Sequence, residues 1–80
     1  MEGEGMTAGE MIERARKTRA LMTQEGLAAE LGCTAAAISG WENDRFSPSI
    51  RYRKRLFQVL EFTPAEESRM ADLIEVARQL

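Results

Sequence analysis

The sequence predicts an all-α domain of five short helices, and three observations predict it. Helix-starting and helix-ending residues recur along the chain, apolar residues fall at helical spacing between them, and residues 23 to 49 read as two helices around a tight turn. No internal repeat, linker or low-complexity segment interrupts the chain, so residues 7 to 80 form one domain behind an acidic N-terminus, residues 1 to 6, expected to be disordered.

Each element has its own local reason. Thr7 with Glu10 three residues on makes a capping box that opens a first helix of about residues 8 to 20, with Met11, Ile12 and Ala15 inward. Thr23 caps a second helix whose apolar positions are Leu27, Ala28 and Leu31, and Gly32 supplies the left-handed backbone that ends it. Thr34 caps a third helix reaching Glu42 or Asn43, with Ala37, Ile38 and Trp41 inward and Ala35, Ala36, Ser39, Gly40 and Asn43 outward. After a polar link, residues 44 to 47, Pro48 can begin a fourth helix with an apolar stripe of Ile50, Leu56, Phe57 and Leu60. Thr63, Pro64 and Glu66 combine an N-cap, a first-turn proline and a reciprocal acid to start a fifth helix that runs to near residue 80.

Composition narrows the function. Eighty residues build only a modest core, and a second copy of the chain often supplies the missing burial at that size. One cysteine and no histidine leave no internal disulfide, no zinc-ligand cluster and no Cys-His dyad, and a reducing cytoplasm is the simplest compartment. No run of about 18 apolar residues crosses a bilayer, and the acidic N-terminus is not signal-like. The chain has no phosphate-binding glycine loop and no evident acidic pair, so neither an enzyme nor a cofactor or metal is expected.

The net charge of −2 conceals a division. Residues 1 to 13 carry Glu2, Glu4, Glu10 and Glu13, and residues 61 to 80 carry five acids against Arg69 and Arg78. Residues 14 to 60 hold nine basic residues against Glu25, Glu30, Glu42 and Asp44, a net +5 that coincides with the paired helices. A basic middle is the electrostatic footprint of a nucleic-acid face.

Two helices joined by three or four residues including a glycine make a helix-turn-helix unit. Here Thr23-Gln24-Glu25, Leu27-Ala28, Leu31-Gly32, Ile38-Ser39 and Trp41-Glu42-Asn43 stand without a gap, and the stretch resembles the Cro/repressor-type helix-turn-helix family over roughly residues 12 to 62. The resemblance implies a lambda-repressor-like five-helix fold bound to double-stranded DNA, with the third helix in the major groove and the start of the second at a phosphate. It matches Gln24 to the family's phosphate-contacting glutamine, and Asn43 and Arg45 to positions that touch the sugar-phosphate backbone; the other readings are a solvated helix-start residue for Gln24 and helix termination for Asn43. Arg51, Arg53, Lys54 and Arg55 are further candidates for phosphate contact, with a solvated charged face as the alternative.

The sequence departs from the family pattern where bases are read. Ala35, Ala36 and Gly40 stand at base-facing positions where the family usually carries polar side chains, and Thr34 and Ser39 remain as polar candidates. Alanine methyl groups can pack on thymine methyls, which moves the remaining burden to phosphates and DNA shape. Trp41 belongs to the core at its helical phase in preference to stacking on a base, and Cys33 reads as a buried, inert thiol in preference to a redox sensor. Glu42 resembles the family acid that pairs with a base of the first helix, here Arg16 or Lys17, because the apolar phase from Ile12 to Gln24 runs one residue longer than usual. Gly26 inside the second helix costs about 1 kcal/mol against alanine.

The fifth helix either completes the core or forms a two-fold interface, and the small core favours an interface of Phe62, Met70, Leu73, Ala77 and Leu80. The expectation is a dimeric transcription regulator on an inverted-repeat operator, switched by its own concentration. Its architecture resembles phage Cro-like repressors and the controller proteins of restriction-modification systems, which suggests a mobile element. The alternative is a protein-interaction module on the same fold, such as an antiactivator or antitoxin partner.

Overall fold

The computed structural model describes residues 5 to 79, and within them the elements are helical: α1 Ala8–Ala15, a π-helical turn Arg16–Ala20, α2 Gln24–Leu31, α3 Ala35–Glu42, α4 Ile50–Val59 and α5 Pro64–Gln79. Residues 1 to 4 and Leu80 lie outside the described residues, and with them most of the expected disordered terminus. Met6, also placed in that terminus by the sequence, packs against the core.

Both capping boxes form. The Thr7 hydroxyl accepts from the Glu10 amide at 3.1 Å while the Glu10 carboxylate accepts from the Thr7 amide at 2.9 Å. Thr63 and Glu66 repeat the exchange at 3.2 and 2.9 Å. Thr23 and Thr34 accept from Gly26 and Ala37 in the same manner at the starts of α2 and α3, and Gly32 closes α2 at φ 75°. These are short-range devices, each satisfying amides that a helix start leaves open.

The first helix ends differently from expectation. Its last turn, residues 16 to 20, is π-helical, and Leu21 follows in the left-handed region at φ 54° with its amide returning to the Arg16 carbonyl. A π turn spends one residue more than an α turn. That accounts for the apolar phase being one residue long: the surplus residue is wound into the turn, leaving α1 and α2 each in register with the core.

Ile12, Leu27, Ile38, Leu56, Leu60 and Met70 are fully buried, ringed by Met11, Trp41, Phe62 and Ile74. α3 packs on both α1 and α2, α4 on α2, and α5 returns to α1. Three expectations need correction. Pro48 lies buried ahead of α4, which starts two residues later, because its carbonyl is held by the Arg53 guanidinium Nε at 2.9 Å. Ile50 then falls in the exposed first turn of α4, 79% accessible, instead of joining the inward stripe. Phe62 and Met70, expected at a two-fold interface, are closed inside this chain's own core: the Phe62 ring stacks on Phe57 at 5.3 Å between centroids, and Met70 has no accessible surface.

Candidate nucleic-acid interface

The position of α3 is set at its C-terminal end by two tethers. In the first, Glu42 is buried and accepts from Arg16 Nε at 2.6 Å and Arg16 Nη2 at 3.0 Å. The remaining arginine donor, Nη1, reaches the Met22 carbonyl at 3.0 Å, and Gln24 Nε2 adds a third donor to Glu42 at 2.9 Å. Between the two bases open to Glu42, the structure selects Arg16; Lys17 faces outward and pairs with Glu13 four residues before it. The Glu42 carboxylate, hydrogen-bonded first and charged second, holds the Arg16 guanidinium above its ordinary pKa against the opposing effect of burial.

Two residues further on, Asp44 takes a left-handed conformation at φ 58° and turns back onto the start of α1. Its carboxylate accepts from the Thr7 hydroxyl at 2.6 Å and from the Gly9 amide at 2.9 Å, an anion at a helix N-terminus. Gly9 permits this approach, since a Cβ there would lie 2.5 Å from the carbonyl oxygens of Trp41 and Glu42. Neither Gly9 nor Asp44 stood out in the sequence. Their contact spans 35 residues, and no local pattern encodes it.

This packing leaves one side of α3 outward. Ala36 and Asn43 are exposed, Ala35 and Ser39 half-buried, and Thr34 caps the helix at its start. Asn43 shows its helix-ending role, donating from Nδ2 to the Ser39 carbonyl at 2.8 Å. Gly40 is the exception among the expected outward positions. It is buried, and a Cβ there would run into the far edge of the Phe46 ring. The chain after Asp44 folds back over the helix, with the Arg45 amide bonded to the Gly40 carbonyl at 2.9 Å, and this places Phe46 on position 40.

The candidate phosphate-contacting residues differ in their freedom. Gln24 is half-buried with one amide hydrogen committed to Glu42, which leaves its second N–H uncommitted. Arg53 braces Pro48, and Arg51 lies 5.3 Å from the Tyr52 ring centre. Arg45 and Lys54 are exposed, and among the described residues no carboxylate pairs with either. The acids of the basic middle are mostly engaged: Glu42 by Arg16, Glu30 by Arg55 at 3.0 Å, and Asp44 by α1.

Other singled-out residues settle as packing. Trp41 is buried, 5.9 Å from Tyr52 between ring centres. Cys33 is half-buried, and desolvation pushes its thiol pKa up, away from the thiolate that redox chemistry needs. On the fifth helix Leu73 is half-buried and Ala77 exposed.

Two helices of eight residues, joined through a left-handed glycine, with the second buried on one side and bare on the other, define a helix-turn-helix protein. The helix-turn-helix family model matches residues 12 to 66, and the chain belongs to that family, the Cro/C1-type group of DNA-binding transcription regulators. No curated protein and no solved structure matches the chain at a significant level. The family is one of regulators and not typically of enzymes. No helix among the described residues is long and apolar enough to cross a membrane.

Proposed function

We propose that the protein is a sequence-specific transcription regulator that acts as a homodimer on an inverted-repeat operator in the cytoplasm, with α3 in the major groove of each half-site. The observation that carries the reading is the bare side of α3, held at its C-terminal end by Arg16–Glu42 and Asp44–Gly9 and bordered by basic residues such as Arg45 that pair with no carboxylate among the described residues. Gln24 at the start of α2 supports the orientation, because its spare N–H and the first-turn amides beside it are donors suited to a phosphate. Thr34, Ala35, Ala36 and Ser39 face the bases in this docking, and Asn43, Arg45, Arg51 and Lys54 flank the backbone. Arg53 acts mainly through Pro48, holding the loop that carries Arg45.

Dimension supports two copies. The longest extent of the chain is 29 Å, shorter than the roughly 34–36 Å between recognition helices on successive major-groove faces. Reading two half-sites therefore takes two protomers, and the apolar face of α5, with half-buried Leu73 and exposed Val76 and Ala77, is the surface proposed to join them. Among the described residues there is one domain and no separate ligand module, and the switch proposed for it is the concentration of the dimer, as in self-limiting repressors of mobile elements.

A second reading is favoured by one observation: the outward side of α3 carries no charged side chain. A protein partner in place of DNA would suit such a face. Selection of bound duplexes from a random library at physiological salt, with titration of the winner against a scrambled duplex, separates the two. The regulator reading expects an inverted repeat bound at least about a thousandfold more tightly than scrambled DNA. It also expects log affinity to fall with log salt at about −0.9 per phosphate neutralised, less steeply in Arg45→Ala. Folded protein that enriches no site would favour the partner.

A further inference from the structure

Position 40 of α3 has no side chain, yet the space that one would fill is occupied. The edge of the Phe46 ring lies there, set by the left-handed turn at Asp44 and by the hydrogen bond from the Arg45 amide to the Gly40 carbonyl. Gly40 shares the outward side of α3 with Ala36 and Asn43, so the surface at that turn belongs to Phe46. Phe46 is 54% exposed, and it also lines a groove of about 640 Å³ together with Leu73, Val76 and Ala77 of α5. A half-exposed aromatic ring is poorly hydrated and lacks a hydrogen-bonding group. Within reach of the major groove the apolar features on offer are the thymine 5-methyl groups.

We infer that Phe46 is a specificity-determining residue, which reads one or two thymine methyls per half-site from the position a residue-40 side chain would otherwise occupy. The inference rests on the proposal that α3 docks in the major groove. It explains how a recognition helix of alanines and a glycine discriminates: the reader is borrowed from the following loop and seated on the glycine. Gly40 is then a socket. A larger residue there would displace the ring.

The test uses the full chain and its selected operator, in which each thymine is replaced in turn by deoxyuridine, a change that removes the methyl group alone. Removal of one buried methyl should weaken binding by the wild-type protein about fourfold. In Phe46→Ala that penalty should vanish at one or two thymines of each half-site and persist elsewhere, while Phe46→Leu should retain part of it. If Phe46→Ala does not fold by circular dichroism, Phe46→Gln, which can still cover Gly40 but has a polar end, should lose the same penalties. An unchanged uracil pattern in the folded variant overturns the inference while leaving DNA binding in place. So does a variant altered only in self-association, which would assign the ring to the α5 groove. Failure of the wild-type protein to select any site overturns the docking and the inference together.

Discussion

Arg16 and Glu42 form a bidentate ion pair, at 2.6 and 3.0 Å, between the start of the π turn and the last residue of α3, and both side chains are at least nine-tenths buried. Every buried side-chain polar atom among the described residues finds a partner. Breaking such a pair leaves a charge in the core, which typically costs about 3–5 kcal/mol, a large share of the 5–15 kcal/mol that holds a small domain folded. Arg16→Ala and Glu42→Ala are therefore expected to be largely unfolded or to lose several kcal/mol in urea titrations. Arg16→Met with Glu42→Leu should recover much of that loss. A single variant as stable as the wild type would show that the pair is not structural cement.

At Gly9 the limit is space. An added methyl meets the Trp41 and Glu42 carbonyl oxygens at 2.5 Å, and these belong to backbone that cannot swing aside. Gly9→Ala should lower thermal stability by about 1–3 kcal/mol through overpacking, despite alanine's better helix propensity. Thermal unfolding followed by circular dichroism decides it, and a raised midpoint would contradict the packing described.

Glu66 carries a pH dependence. Its carboxylate is gripped by the Arg19 guanidinium and also closes the capping box with Thr63, which lowers its pKa from 4.5 to about 2. A depressed carboxylate pKa contributes stability that is full above the unfolded value and disappears as pH falls through the folded one. The advantage of the wild type over Glu66→Gln in denaturant titrations should accordingly be constant above about pH 4.5 and shrink toward pH 2. Because Arg19 is more than a third exposed, the advantage is modest and smaller in high salt. An advantage that grows on acidification would reverse the assignment.

Leu21 offers a stabilising change. It is a leucine in the left-handed region at φ 54°, 78% exposed, and so bears backbone strain without burial in return. Leu21→Gly relieves about 1–2 kcal/mol of strain against roughly half that in added unfolded-state entropy. A net gain of up to about 1 kcal/mol should appear in urea unfolding, and a loss would mean that the side chain is used.

What could be read in the sequence was what neighbours decide. Thr7 with Glu10 and Thr63 with Glu66 act across three residues, and Gly32 acts on its own backbone, so the helix starts and the central turn were legible. Choices made across the fold were not. Whether Arg16 or Lys17 meets Glu42 depends on a π turn that no composition announces. Met70 shares its helical face with Ala77, yet only the packing of α5 on α1 tells that the first is enclosed and the second bare. Gly40 had the phase of an outward residue, and the loop that covers it comes from a link with no periodicity to follow.

The tether from Asp44 to the start of α1 bears on the thermodynamics of recognition. With the residue just past α3 already capping α1, α3 is held in the free protein, and in the docking proposed above association need not include its folding cost. The heat-capacity change on binding should then reflect the area of the contact alone, without the larger contribution that accompanies a segment folding onto its target.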